Sequence, residues 1–254
     1  MQVRRPIPSE RLPESGSSSI EGYASNVFFR DEKPIIFTTN RFVFKSLYVL
    51  TSRPLLFKLR TRLWVMLVEV IEEPVFYDGS QIEPLWGYKR CGILGDCVIV
   101  FRGGMDVSEE RMKDCEDIRG KSKITGDDVL HLIVERFDSP GNMFISYLLQ
   151  RLLVISAQAV LNMYGIETTR SGDDLYVADE KLTVSIATAS IASEKMHLGI
   201  NVTTSGTPKG VAITSLTSLG IEPDESLSIG RDIGDMFSRE TLGILKDVVK
   251  TRGS

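Results

Sequence analysis

The chain has 254 residues, 42% of them hydrophobic, which suffices for one large domain or a domain with an appendage; one main domain is expected. Thirty Lys and Arg against 34 Asp and Glu leave a formal net charge of −4, so no global field draws the molecule to a phosphate backbone and nucleic acid is not an expected partner. The three cysteines, Cys91, Cys97 and Cys115, form no CxxC pair, which argues against a disulfide framework or a zinc site and fits a reducing cytoplasm.

Residues 1–62 differ in character from the rest. Ser- and Pro-rich text to Ser19 reads as disordered, and basic residues follow at Arg30, Lys33, Arg41, Lys45, Arg53, Lys58, Arg60 and Arg62. The opening residues lack an apolar stretch behind their charges, so no secretory signal is expected, and the apolar region 42–71 is too interrupted by Lys and Arg to cross a bilayer. One reading is a basic arm for an acidic partner or a membrane surface. The other, adopted here, is a weakly folded extension ahead of a domain spanning 63–254, with Met66 as an alternative initiator.

Residues 63–71, LWVMLVEVI, have the β-branched, apolar content of a buried strand stopped by Pro74. Tyr77-Asp78-Gly79 reads as a turn, Trp86-Gly87-Tyr88 as the opening of a loop, and 97–101 as a second buried strand ending at Arg102-Gly103-Gly104. Amides freed by the two glycines, with the guanidinium, would suit a carboxylate or phosphate; a plain glycine turn is the competing reading. Residues 108–128 alternate charge densely and read as solvated helix and loop. Asp114, Glu116, Asp117, Asp127 and Asp128 offer oxygens to a hard cation, but without diagnostic spacing.

VLHLIVE, 129–135, alternates as a third strand, with His131 read as a structural residue. Asp138-Ser139-Pro140 reads as the start of the principal helix, which runs to Gly165 with Phe144, Leu148, Leu152, Ile155 and Ala159 as its core stripe. Residues 170–202 then read as a meander: a turn at 171–174, a short strand, a turn at 178–180, a strand opened by Lys181, and a strand carrying His197 and Asn201. Two helices, 226–237 and 240–250, close the chain.

GDDLYVADEKLTVSIA resembles the segment of biotin-protein ligases in which an Asn-Asp pair, a short strand, a turn and a lysine opening the next strand succeed one another; HLGINV resembles the strand that follows. The similarity extends to octanoyltransferases and lipoate-protein ligases. FRGG at 101–104 resembles their Arg-Gly-Gly turn, and TPKGVAITSLTSLG at 207–220 resembles the octanoyltransferase Pro-Cys-Gly segment. The pattern also resembles an uncharacterised archaeal family in which YDGSQI, FRG, DDLYV and KL-VSIAT recur.

The resemblance implies an α+β fold, a mixed, largely antiparallel sheet with helices packed on it, as in class II synthetases. It implies that Lys181 neutralises an acyl or adenylate oxygen, that His197 and Asp174 complete a catalytic set, and that Arg102, Gly103, Gly104, Asp173, Asn201 and Lys209 bind ligand. Three departures qualify it: the glycine- and arginine-rich adenylate-binding loop of biotin ligases is thinned to Arg102-Gly103-Gly104, Asp173 stands where the family has asparagine, and Lys209 where octanoyltransferases have their nucleophilic cysteine, which leaves no thioester route. The implied partner is a small carboxylate or acyl ligand, with an acyl-carrier protein as a second candidate. ATP with magnesium is the candidate cofactor, and a homodimer the candidate assembly. A non-catalytic ligand-binding module and a homo-oligomeric scaffold are the competing readings.

Overall fold

The computed structural model describes residues 66–253, together with a two-residue ladder, β1 (Phe29–Arg30) against β2 (Lys33–Pro34). The ladder belongs to one compact unit, Met1–Thr51, and everything below to the other, Ser52–Ser254. The readings for the rest of the N-terminal extension lie outside the described residues.

Five strands form the main sheet: β3 (Leu67–Val70), β4 (Cys97–Asp106), β5 (Thr125–Arg136), β9 (Thr183–Ala189) and β10 (Glu194–Asn201). Their spatial order is β3-β4-β5-β10-β9, with β3 parallel to β4 and every other neighbour antiparallel. A separate three-stranded sheet joins β6 (Thr169–Ser171), β7 (Asp174–Val177) and β8 (Glu180–Lys181). The expected meander is thus split between two sheets. The helices are α1 (Trp86–Cys91), α2 (Cys115–Gly120), α3 (Met143–Met163) and α4 (Ser226–Lys250).

Alternation along each strand decides what covers each face. Leu130, Leu132 and Val134 of β5 point with Val98, Val100, Met196 and Leu198 into a core closed by α3 and α4. The intervening residues face the other way: His131 lies opposite Phe101 and Gly199, Ile133 opposite Ile99 and His197, Glu135 opposite Cys97 and Lys195. Ile71, Tyr77 and Ile82 cover this second face, with Trp86 and Cys91 of α1 packed against them. Burying each such large apolar side chain contributes about 1.5–3 kcal/mol. The second face carries a buried histidine pair and a buried Glu135–Lys195 ion pair, and the latter holds the covering segment.

Several local readings are corrected. Trp86 begins a short helix rather than a loop. Arg102-Gly103-Gly104 lies inside β4, at a register irregularity between Gly103 and Met105, because the strand runs on to Asp106. The charge-dense stretch contains α2 and the first residues of β5. The cap of α3 is Asn142, whose side chain accepts from the Phe144 and Ile145 amides, and the two C-terminal helices are one.

The core stripe of α3 is also rotated. Leu149, Leu153, Val154, Ala157, Val160 and Leu161 are buried, whereas Phe144, Leu148 and Ile155 are exposed. A helix apolar on every side carries no periodic signal that singles out one face. By length and composition α3 is apolar enough to cross a membrane, and its buried side forms the core contact just described.

Candidate functional site

A cavity of about 1340 Å³ opens where the sheet ends. Its floor is Gly104 to Asp106 of β4, Thr125 to Asp127 of β5, Thr183 and Val184 of β9, and Asn201 of β10. Lys181 enters from β8, Lys121 and Lys123 from the turn between α2 and β5, and Lys209 from the loop after β10. Four lysines against Asp106, Asp117 and Asp127 make this a cation-rich pocket in a chain of net negative charge.

Lys181 is fixed by its backbone. Its N–H donates to the Ala212 carbonyl at 2.9 Å and its own carbonyl accepts from the Thr214 N–H at 3.1 Å, so the 212–214 segment runs beside it as a short bridge. Asn201 closes the junction, its Nδ2 donating to the Thr214 carbonyl at 3.1 Å and approaching the Lys181 carbonyl at 3.5 Å. The Lys181 ammonium lies 2.8 Å from the Asp174 carboxylate, part-exposed at the cavity edge. Burial raises the Asp174 pKa above the ordinary carboxylate range, and the lysine opposes that shift.

The loop bearing Lys209 is tied to β5. Asp127 N–H donates to the Ser205 carbonyl at 2.9 Å, Ser205 Oγ donates to the Asp127 carboxylate, and Thr125 Oγ1 donates to the Gly206 carbonyl at 2.8 Å. Gly206 has φ +73° and a Cβ there would lie 2.1 Å from Asp127 Oδ1, so only glycine fits. Of the expected site residues, Lys181, Asn201, Lys209 and Gly104 line this cavity, with Asp174 held against Lys181.

The others are elsewhere. Asp173 turns toward α3, where it meets Arg151 at 2.8 Å, Gln150 at 2.9 Å and Ser185 at 3.0 Å. Burial would raise its pKa, but the Arg151 guanidinium and the Ser185 hydroxyl hold it below the usual value. Arg102 spends its donors on the chain: Nε and Nη2 reach the two oxygens of Asp128 at 2.7 and 2.6 Å, and Nη1 reaches the Pro223 carbonyl at 2.9 Å.

The expected anion cradle of Arg102, Gly103 and Gly104 is therefore not assembled. The glycines serve instead as a slot for the 75–77 segment. Val75 N–H donates to the Arg102 carbonyl and Tyr77 N–H to the Gly104 carbonyl, and a Cβ on Gly103 would lie 2.1 Å from the Val75 oxygen. Arg102 and both glycines do line a second groove of about 810 Å³, where Glu72, Asp127, Asp128 and Asp224 outnumber Arg102 and Arg231.

His197 shares a strand face with Asn201 but lies deeper, with its ring stacked 3.9 Å from that of Tyr77 and its Nε2 3.0 Å from His131 Nδ1. His131 Nε2 in turn lies 3.3 Å from the Gly103 carbonyl, which only accepts. That chain assigns Nε2–H to both rings, His197 donating to His131 and His131 to Gly103. Burial lowers both pKa values, that of His131 to about 3 and that of His197 well below its ordinary value. The pair is neutral, buried and away from the lysine cavity.

Lys121 and Lys123 are the site residues that sequence reasoning missed, since their charge-dense segment reads as solvated surface until tertiary contacts fold it over a sheet end. Among the described residues no group of three or more His, Cys, Asp or Glu is placed to hold a metal ion. The lysines fit the phosphates or carboxylate of a nucleotide or acid, whereas magnesium finds no preassembled ligand set. None of the three cysteines lines the cavity.

Fold and cavity together define an α+β domain with a lysine-lined pocket at the end of a mixed sheet. The chain belongs to the family described as Domain of unknown function (DUF366), whose pattern matches residues 66–252. It is 40% identical over 190 residues to the uncharacterized protein MJ0805 of Methanocaldococcus jannaschii, an alignment covering 73% of this chain and 84% of that one. A solved protein of unknown function from Pyrococcus horikoshi superposes with TM-score 0.69 at 40% identity, covering 74% of this chain and 99% of the other. A putative lipoate protein ligase from T. acidophilum, solved with bound lipoic acid, aligns at TM-score 0.49 and 11% identity over 73% of this chain and 95% of its own.

Proposed function

We propose that this protein binds a small carboxylate, acyl or adenylate ligand in the cavity at Lys181 and activates or transfers it without a cysteine nucleophile. The observation that carries the reading is the convergence of Lys121, Lys123, Lys181 and Lys209 on one pocket whose walls also include Phe76, Val184, Val211 and Ile213. Such a pocket suits an anion with an apolar body, the lysines taking the charged end and the aliphatic wall the rest. The sequence resemblance supplies the ligand class.

In this reading Lys181 meets the developing negative charge on the ligand oxygen. Its backbone bridge to 212–214 holds it in place before the ligand arrives, so little reorganisation opposes the reaction. Asp174, 2.8 Å from the ammonium, keeps it aimed. Nucleotide phosphates fit the lysines in charge, and no step is assigned to a metal. A binding-only reading is favoured by one specific observation: Arg102, the guanidinium that the resemblance assigns to ligand, is occupied by Asp128 and Pro223.

The test is a thermal-shift series on the purified protein with lipoate, octanoate, biotin, ATP and ATP with magnesium, using the wild type, Lys181→Ala and Lys209→Ala. A ligand at 100 times its Kd stabilises by about 2.7 kcal/mol, well within detection. A shift by one ligand that falls in both variants supports the reading, and a shift untouched by either removes the cavity from it. No shift by any nucleotide sinks the adenylating version. Stabilisation without product in a transfer or adenylation assay would favour the binding module.

A further inference from the structure

The floor of the lysine cavity crosses four neighbouring strands, β4, β5, β10 and β9, in that order. At about 4.8 Å between strands its two ends lie about 14 Å apart. Its volume of about 1340 Å³ also exceeds the range of about 300–1,000 Å³ usual for one small ligand. An acid seated against Lys181 at the β9 end, with Val184, Val211 and Ile213 around its apolar body, therefore leaves the β4 end for a second group.

The β4 end is built differently. Phe76 lines it and is 59% exposed, yet its backbone is fixed on both sides: Val75 N–H donates to the Arg102 carbonyl at 3.0 Å, Tyr77 N–H to the Gly104 carbonyl at 2.8 Å, and Gln81 Nε2 to the Phe76 carbonyl at 3.0 Å. The ring edge borders Gly104, where an added Cβ would lie 3.2 Å from it. A bare aromatic ring is thus held on an ordered segment inside a polar cavity. The turn carrying Lys121 and Lys123 joins the same strand, since Asp106 pairs with Thr125 and Val107 N–H donates to the Ile124 carbonyl at 3.1 Å. Among the described residues Lys121 and Lys123 enter no ion pair, whereas Lys181 has Asp174.

One bare ring and two uncompensated ammonium groups have a specific complement. A phosphate monoester carries about −1.5 to −2 charges near neutral pH, enough to engage both lysines, where an aliphatic acid brings a single charge and no ring. A planar ring attached to that phosphate stacks on phenylalanine whatever its substituents. We infer that the β4 end is a second subsite, formed by Phe76, Lys121 and Lys123, for a phosphate ester bearing a planar aromatic ring. The inference rests on the acid reading of the Lys181 end only in that the two subsites fill together. The base of a nucleotide and the ring of a simple aryl phosphate share this chemistry.

The experiment is isothermal titration calorimetry of the full chain at fixed salt with AMP, phenyl phosphate, ribose 5-phosphate and octanoate, on the wild type, Phe76→Leu and the double variant Lys121→Ala, Lys123→Ala. All three side chains are at the surface, and matching melting curves show that the variants fold. AMP or phenyl phosphate is expected to bind at least about fivefold tighter than ribose 5-phosphate, the lower end of what one stacked ring contributes. Phe76→Leu is expected to remove that margin, the double lysine variant to weaken every phosphate alike, and saturating octanoate to leave the AMP affinity undiminished. Whichever of AMP and phenyl phosphate binds tighter names the source of the ring. Ribose 5-phosphate binding as tightly as both ring-bearing probes overturns the inference, as does a margin indifferent to Phe76→Leu. Octanoate that displaces AMP would put both on one subsite and overturns it too. Octanoate bound with every phosphate refused overturns the inference and leaves the acid site standing; AMP bound with octanoate refused does the reverse.

Discussion

Glu135 and Lys195 are the residues whose chemistry most constrains the second face of the sheet. Both side chains are 1% exposed and 2.9 Å apart. Glu135 Oε1 also accepts from the Leu85 N–H and Ser193 Oγ, and Lys195 donates to the Glu83 carbonyl, so the pair pins the 83–85 segment to the strands. Burial lowers the Lys195 pKa, and Glu135 opposes that. Glu135→Gln leaves a buried ammonium without its carboxylate and is expected to cost about 3–5 kcal/mol in urea unfolding. A loss below about 1 kcal/mol would mean that water reaches the pair.

The two histidines of the protein are the stacked pair, so histidine titration reports on that site alone. In the folded state burial depresses both pKa values, with His131 near 3, whereas an unfolded chain titrates near 6.5. Below about pH 6.5 the unfolded state therefore binds protons that the folded state refuses, and stability falls with pH; above it the contribution is fully present. Two such groups give a slope approaching 2.7 kcal/mol per pH unit between about pH 6 and 5, above the main carboxylate range. His197→Phe, which keeps a ring on Tyr77, is expected to halve the slope. A flat stability profile from pH 7.5 to 5 would show the rings to be solvated.

At the scale of elements, the 75–77 segment and the two glycines beneath it form a contact that sequence motif alone misassigned. An Arg-Gly-Gly string reads as an anion turn, since glycine freedom and a guanidinium suggest one. What the string could not show is that β4 continues through it and that another backbone lies on it. Gly103→Ala places a Cβ against the Val75 carbonyl, a backbone atom with nowhere to go, and is expected to cost about 1–3 kcal/mol. Gly104→Ala meets the edge of the Phe76 ring at 3.2 Å and the Asp127 carbonyl at 3.3 Å, a milder crowding that a shift of a few tenths of an ångström relieves. Hydrogen exchange at the Tyr77 amide, bonded to the Gly104 carbonyl, is expected to accelerate more in the first variant than in the second. The opposite order would remove the slot from the account.

Elements with strong local signals were legible: β4 and β5 contain the runs 97–101 and 129–135, and β9 and β10 match the runs 182–188 and 196–202 to within a residue or two at each end. Facing was less so. The exposed stripe of α3 and its buried one are equally apolar, so composition fixed the helix but not its rotation. His197 and Asn201 show the same limit at the site. They sit on one strand face four residues apart, and only the covering Tyr77 separates a buried ring from a cavity wall. Lys181 was singled out by the resemblance, since Asp-Glu-Lys by itself reads as a surface turn, whereas Lys121 and Lys123 reach the cavity through a fold-back that no local pattern encodes.

For the whole molecule, the decisive organisation is that one sheet has two unlike faces. The helix-covered face is mainly apolar, with Gln150 and Thr183 among its few buried polar groups, while the other buries His131, Glu135, Lys195 and His197 and ends in the lysine cavity. Among the described residues both core clusters start at Met66, and the family match begins at the same position. We predict from the start of the family match that residues 1–62 lie outside the cooperative unit. At about 2–4 °C per kcal/mol for a domain of this size, the shortened chain is expected to melt within about 2 °C of the full one. Differential scanning calorimetry of the two proteins at one concentration decides the matter: a drop of about 8 °C or more, roughly 2 kcal/mol or beyond on that scale, would place part of the first 62 residues in the cooperative unit.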